Sequence, residues 1–487
     1  MTVAIIGAGL GGLSAAIHAA SKGYAVEVFE TMSGPGGKAG IVVLDGVEVD
    51  TGPSVLTMPE VFQELWSLAP RPEEVRVPLR REGGDFLYSF PDGTSLRVAH
   101  RLDETLGEVE RTLGPRARRE LADFAAYAAR IWAEAAPHFV MGSAPSMRMI
   151  LGLGVGGLSA VSKIDPMRSM LDAIHKHVRE PKLRDIFSRY ATYNGSDVRK
   201  APATLNCIAH VELGVGGFGV LGGLQAMVRS LVRTAEQLGV RFHFDTPVRG
   251  LLQKSRVVRG LRTDEGEFPA QAVIANCDAN HLRCWVDIPK AKGERPSMSG
   301  VNLIVKARRR EDRPAHQVFF PERYLSEFED IFDRDRPPED PTVYVCASEK
   351  AHGRTGWDDH EPLFVMANAP AETQDSRDSR IYAALIERML ERLRTHGAID
   401  AEDEVVWKRT PTELAAAFPD TGGAIYGAAS NSMWSAFQRP SNRVKHVRNL
   451  YLASGSAHPG GGMPLAVLSG REAVRCLSDD IVPSSPR

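Results

Sequence analysis

Long hydrophobic runs are what this chain most plainly lacks. No stretch approaches the roughly 20 continuous apolar residues of a bilayer span, and no basic segment leads the N-terminal apolar run, Lys22 being the first positive side chain. Neither a membrane-spanning helix nor a signal peptide is therefore expected. Cysteine is scarce as well. Cys207, Cys277, Cys284, Cys346 and Cys476 are odd in number, scattered and without metal-ligand spacing. They read as reduced thiols of a cytoplasmic protein, with no disulfide framework and no metal centre. Charge of one sign is also missing. A formal net charge of -2, no basic tail and no interleaving of aromatic with basic residues exclude nucleic acid as a partner. No repeat is visible that would signal a solenoid or propeller.

What is present is ordinary globular material in quantity. The 487 residues are 43% apolar and 25% charged, enough for two or three lobes. The first thirty organise the rest. Thr2 to Ile6 is a short apolar run, followed by Gly7-Ala8-Gly9-Leu10-Gly11-Gly12, good helix formers from Leu13 to Ala20, and a second apolar run, Ala25 to Phe29, ending on Glu30. This is the order strand, tight turn, helix, parallel strand, acid. Gly7 allows the turn, Gly9 lets the backbone approach a pyrophosphate, and Gly12 lets helix and strand pack closely. The helix N-terminus offers free N–H groups to the phosphates. Glu30 stands near the roughly 20-residue offset of an acid that accepts from a ribose. A dinucleotide site is expected.

Further along, Gly36-Gly37-Lys38 lies in a Gly-rich loop, and Ile41–Leu44 with Val47–Asp50 predicts a hairpin around Asp45-Gly46. Thr51-Gly52-Pro53-Ser54 is a turn of small residues open to a flat ligand. Apolar residues Leu121, Phe124, Ala125, Ala128, Ile131 and Trp132 recur at helical spacing. Met149 to Val161 is glycine-weakened and apolar, a buried segment or a lipid-facing entrance. His175 and His177, two apart, read as surface histidines; Asp165 and Arg168 read as a surface ion pair on a helix. The basic cluster Lys306 to Arg313 reads as a solvated strand end, with an anionic lipid surface as the alternative. Strands near Val240 and Ala272, then strand, Gly loop and helix from Asn449 to Cys476, return late to the first fold. Pro464 sits where a helix's first turn accepts proline. His458 has no partner ligands at usable spacing.

These pieces resemble a known family. Gly7 to Gly12 with Glu30 and Gly36-Gly37-Lys38 is similar to the flavin-dependent amine oxidase and phytoene desaturase superfamily. Asp50-Thr51-Gly52-Pro53-Ser54, Tyr190-Ala191-Thr192-Tyr193, Pro202-Ala203, Phe319-Phe320, Pro341 to Ala347, Gly423 to Gly427, and His458 to Pro464 with Ser469-Gly470 narrow the resemblance to carotenoid desaturases. They look most like those acting at C-3,4 of 1-hydroxy- or methoxy-carotenoids. The likeness covers essentially the whole chain.

The resemblance implies an α/β fold with an α+β second lobe. A discontinuous Rossmann-like FAD domain would comprise residues 1–65, 215–285 and 440–480. A substrate-binding sheet domain would take 66–100 and 286–439, a helical lid or membrane-facing subdomain 101–214, and a disordered tail 481–487. It implies FAD held by Gly7, Ala8, Gly9, Gly11, Gly12, Glu30, Gly36, Gly37, Lys38, Pro53, Ser54, Val248, Gly455, Gly462, Met463 and Pro464. The substrate would be a lipid-dissolved carotenoid that loses two hydrogens, one as hydride to FAD, at a peripheral membrane surface. Oxygen or a quinone would reoxidise the cofactor. No catalytic base is implied, and Tyr190 and Tyr193 either line the polyene path or pack the core. A carotenoid isomerase, a terminal-methyl oxidase, an amine oxidase and a non-catalytic flavin carrier are the competing readings; an amine oxidase would need an aromatic cage.

Overall fold

The computed structural model describes residues 1–144, 163–290, 294–372, 380–432 and 439–481. The apolar stretch Met149 to Val161 and the tail beyond Ile481 lie outside the described residues.

Continuous apolar runs make parallel strands that are buried on both faces. Thr2–Ile6 and Ala25–Phe29 are such runs, and they pair in parallel, Val3 opposite Val26. The full sheet has the order Leu450–Leu452, Ala272–Ala275, Thr2–Ile6, Ala25–Phe29, Arg241–His243, every pair parallel. Three of its strands thus come from far beyond the first thirty residues. On one face lie the helices Leu10–Ser21, Leu224–Gln237 and Met463–Ile481. On the other, Val258, Leu261 and Phe268 of an antiparallel three-stranded sheet pack against Phe29 and Val273. Trp66, Ala69 and Val75 join the first of these cores, so the segment just after residue 65 packs with the parallel sheet and not with the second sheet.

The second sheet has seven strands in the order Glu404–Arg409, Ser299–Arg308, His360–Ala369, Val343–Ala347, His316–Phe319, Phe86–Ser89, Ser95–Val98. Only His316–Phe319 against Phe86–Ser89 is parallel. The helix Arg380–Thr395 covers one face through Tyr382, Leu385, Met389 and Leu393. Against the other, Tyr88, Val318 and Phe320 meet a helical layer that includes Pro115–Ala135, Met170–His177 and Pro181–Arg189. The face of Pro115–Ala135 read from sequence is buried at Leu121, Phe124, Ala125, Ala128 and Ile131. The three layers meet where backbones touch: a Cβ on Gly84 would lie 2.0 Å from the Gly217 carbonyl oxygen.

The structure bears on four local expectations. Asp165 and Arg168 do pair, but not on a helix: Asp165 has φ 51°, and its carboxylate also accepts from Tyr127 Oη at 2.7 Å. His175 is exposed, whereas His177 stacks on Tyr127 with ring centroids 4.4 Å apart. Tyr190 packs in the core and Tyr193 lines a cavity. The basic cluster does end the strand Ser299–Arg308 with Arg308 and Arg309 exposed, but acids meet it and Arg313 is buried. Arg309 pairs with Glu349 and Arg310 with Asp400, both at 2.8 Å, and buried Arg313 pairs with Glu361 at 2.7 Å.

Candidate functional site

The fingerprint turn forms as its glycines require. Gly7 has φ 92°, and its N–H bonds the Phe29 carbonyl at 2.7 Å. A Cβ on Gly12 would lie 2.0 Å from the Gly7 carbonyl oxygen, so the helix can approach the strand only without a side chain there. Glu30 is buried, with Oε2 accepting from the Ala8 N–H at 2.7 Å and Oε1 from the Met32 N–H at 2.9 Å. Bonds of this kind to an ionised acceptor contribute about 1.5–3 kcal/mol each. They fix the carboxylate in orientation and leave lone pairs toward a cavity that Glu30 lines.

That cavity has a volume of about 900 Å³, large for a small-molecule site. One end is lined by Glu30, Val248 and Arg249, the middle by Gly9, Gly11, Gly37, Lys38, Pro53, Ser54, Gly455, Gly462, Met463 and Pro464. Ala8 and Gly12 stand behind this wall, in the bond to Glu30 and the helix–strand contact just described. Gly462, at the start of Met463–Ile481, has open space where a Cβ would be. Lys38 Nζ donates to the Ala424 and Ile425 carbonyls, each at 2.9 Å, and burial pulls its pKa down. Asp50 does not line the cavity. Its carboxylate accepts from the Leu224 and Gln225 N–H groups, at 2.9 and 3.1 Å, and so caps the helix Leu224–Gln237.

Beyond Ser54 the wall turns apolar and aromatic, with Trp132, Phe139, Leu205 and Ile208 from the helical layer and Tyr344, Phe364 and Met366 from the seven-stranded sheet. Arg189, with Glu212 near it, interrupts it. Arg189 Cζ sits over the rings of Tyr193, Phe86, Tyr344 and Tyr88 at 5.0, 5.4, 5.7 and 5.9 Å. An aromatic cage is therefore present, which sequence reading did not find, and the chain's own guanidinium fills it.

Whether these residues fit a flavin dinucleotide can be tested on the geometry. A glycine-lined wall with space for a flat ring, a helix N-terminus aimed into the cavity, a pre-oriented carboxylate for a ribose and a buried Arg409 Nε without a partner among the described residues all fit. The profile for flavin containing amine oxidoreductases matches residues 10–478. The chain belongs to this family. As a flavin-containing oxidoreductase it uses FAD. A hydroxyneurosporene desaturase of Rubrivivax gelatinosus is 34% identical over 98% of this chain and 93% of its own length. A 1-hydroxycarotenoid 3,4-desaturase of Flavobacterium sp. (strain P99-3) is 30% identical over 99% of both. The crystal structure of an oxidoreductase from Methanosarcina mazei shares the fold, with TM-score 0.63 at 16% identity over 98% of this chain and 100% of that one.

Several cavity residues of this flavoprotein were not found from sequence. Asn276 ends a central parallel strand and donates to the Ala453 carbonyl beside Gly11; the rule that ligands gather at the carboxyl ends of such strands points to it. Arg439 donates to the Tyr426, Gly455 and Ala428 carbonyls and to Asn194 Oδ1, at 3.2, 3.2, 3.0 and 3.2 Å, and joins three parts of the chain. Burial lowers its pKa to about 10. No local pattern marks it. His281, Cys284 and Asp420 also come together, with ligand atoms within 4.8 Å of one another, though no metal-binding spacing is visible in the sequence. His281 Nδ1 and Asp420 Oδ2 are 2.7 Å apart, a hydrogen-bonded pair as they stand. All five cysteines are free. Among the described residues no helix is long and apolar enough to cross a membrane.

Proposed function

We propose that this flavoenzyme is a carotenoid desaturase that introduces carbon–carbon double bonds into a long apolar polyene, at C-3,4 of a 1-hydroxy- or methoxy-carotenoid. The observation that carries the reading is the cavity. It runs without interruption from the dinucleotide fingerprint into an apolar, aromatic channel between helices and sheet, and relatives named as desaturases of hydroxylated carotenoids match the chain over its length. Amine oxidation is disfavoured, because a substrate ammonium would meet a guanidinium already in the cage.

In this reading Gly7, Ala8, Gly9, Gly11 and Gly12 form the pyrophosphate turn, Glu30 accepts from the adenosine ribose and Val248 borders the adenine. Gly36, Gly37, Lys38, Pro53 and Ser54, together with Gly455, Gly462, Met463 and Pro464, would hold the ribityl and ring portions. FAD bound there supplies a two-electron acceptor for hydrogens taken from adjacent carbons. The protein's own contribution is positional. Trp132, Phe139 and Ile208 replace water around the polyene, which offers no strong hydrogen-bonding handle at its reacting C–H bonds. Helix-terminal N–H groups at Gly462 and Met463 favour negative charge in front of them. The substrate enters from a lipid surface that the protein touches peripherally, and oxygen or a quinone takes the electrons.

Incubation with lipid-dispersed neurosporene, 1-hydroxyneurosporene and phytoene, followed by absorption and mass spectra, tests this. A red-shifted product two hydrogens lighter is expected from 1-hydroxyneurosporene. Unchanged mass would mean isomerisation and added oxygen would mean methyl oxidation, and either would overturn the proposal.

A further inference from the structure

A polyene has nearly the same shape at every position along its length, so an apolar channel alone does not decide which bond stops at the reacting centre. One polar anchor would. The channel holds one cluster suited to that task, at the seam between the helical layer and the seven-stranded sheet. Arg189 is 8% exposed, and its only hydrogen bonds among the described residues leave Nη1, to Tyr193 Oη at 2.8 Å and Tyr88 Oη at 3.4 Å. Among the described residues its Nε and Nη2 donate to nothing. Glu212, also buried, accepts from Tyr193 Oη at 2.5 Å, Tyr190 Oη at 3.0 Å and Tyr88 Oη at 3.4 Å. Tyr324 is 2% exposed, and its hydroxyl has no partner among the described residues. Its ring packs edge-on to Phe320, which stacks on Tyr88, at 5.0 and 5.9 Å. Arg189, Glu212, Tyr193 and Tyr324 all line the cavity.

Burying a phenol with none of its capacity used is costly unless a ligand completes it, and the guanidinium beside the cavity has donors to offer one. Charge decides what kind. Arg189 and Glu212 share Tyr193 Oη, so a ligand carboxylate would be buried against that acid and an ammonium against the guanidinium. A neutral oxygen meets neither conflict.

We infer that Arg189, Tyr193 and Tyr324 form a recognition subsite for a neutral oxygen, a hydroxyl or its methyl ether, at the end of the polyene, and that this contact sets which bond is presented for desaturation. The inference rests on the desaturase reading and adds the residues that select the substrate. Only C-2 lies between C-1, which carries the oxygen, and C-3, so an anchor on the oxygen holds the C-3,4 bond in register. Both oxygen forms can accept from Arg189.

The test is a binding measurement on holoenzyme whose flavin has been chemically reduced, so that no turnover occurs. Quenching of tryptophan fluorescence gives Kd for neurosporene, 1-hydroxyneurosporene, its 1-methyl ether and a polyene ending in a carboxylate. Wild type is expected to bind both neutral oxygenated polyenes about 10- to 100-fold more tightly than neurosporene. Arg189→Met is expected to bring all three within about threefold while neurosporene binding stays within that range. Should the loss of Arg189 unsettle the cage, Tyr324→Phe removes only an unpartnered oxygen and is expected to cut the preference about three- to tenfold without loss of flavin. Equal wild-type affinities, a preference unchanged in the folded variants, or tightest binding of the carboxylate would overturn the subsite. Failure of the oxidised enzyme to desaturate any polyene would overturn the functional reading instead, and the binding ratios would still judge the subsite.

Discussion

Gly12→Ala is the perturbation whose effect follows most directly from the geometry. The added carbon would stand 2.0 Å from the Gly7 carbonyl oxygen and 3.1 and 3.2 Å from Asn276 Oδ1 and Cβ. Non-bonded contacts sit near about 3.5 Å, and the first obstacle is backbone, so the helix Leu10–Ser21 must retreat by about 1 Å or more. Overpacking of this kind costs about 1–3 kcal/mol. The retreat also carries the helix N-terminus away from the cavity, where charge-assisted bonds to a pyrophosphate contribute about 1.5–3 kcal/mol each. Flavin affinity should fall about 10- to 100-fold. Reconstitution of apoprotein with FAD, followed by flavin fluorescence, reads the affinity, and thermal unfolding reads the stability. Gly107→Ala is the control: Gly107 lies within the helix Leu102–Leu113 with nothing near its Cβ position, and the change should stabilise by up to about 1 kcal/mol. A Gly12→Ala protein with wild-type flavin affinity and melting temperature would refute the reasoning.

Other outcomes follow from the same geometry. Glu30→Gln puts an amide nitrogen against the Ala8 or Met32 N–H, so flavin affinity should drop at least about tenfold with the fold retained, measured by the same titration. Lys38→Met leaves the Ala424 and Ile425 carbonyls without their donor; amide exchange in 418–427 should quicken, and an unchanged exchange pattern would count against the tether. Burial lowers the pKa of His316 to about 4 and of His352 to about 3. The fold holds both neutral, so the stability they contribute is complete above the unfolded value near 6.5 and is lost as pH falls through the folded values. For His316 the loss is on the order of 3 kcal/mol. Asp185, raised to about 7 by burial, acts in the opposite direction as pH rises. The comparison that isolates His316 is therefore wild type against His316→Gln, whose denaturant midpoint should fall less between pH 7 and 4.5.

The parts legible in the sequence are those written as local pattern. Thr2 to Glu30 carries strand, turn, helix and acid in one unbroken run, and each forms there. Pro464 marks the first turn of Met463–Ile481, and Asp45-Gly46 turns the hairpin with φ 50° and 80°. What escaped depends on residues far apart. Arg189, Glu212 and four rings of its cage come from four places along the chain, and nothing in Phe187 to Tyr193 says that its arginine is buried. Asp50 adjoins the Thr51 to Ser54 turn read as open to a flat ligand, yet its carboxylate serves a helix more than 170 residues later. The charges from Lys306 to Arg313 read as solvated because their acids, Glu349, Glu361 and Asp400, arrive from elsewhere in the chain.

Anaerobic titration of the oxidised holoenzyme with 1-hydroxyneurosporene tests the central claim most directly. Loss of the flavin's visible absorption should match, mole for mole, the formation of a product with one more conjugated double bond. A flavin that stays oxidised while product forms, or that bleaches without new conjugation, would contradict desaturation at this cavity.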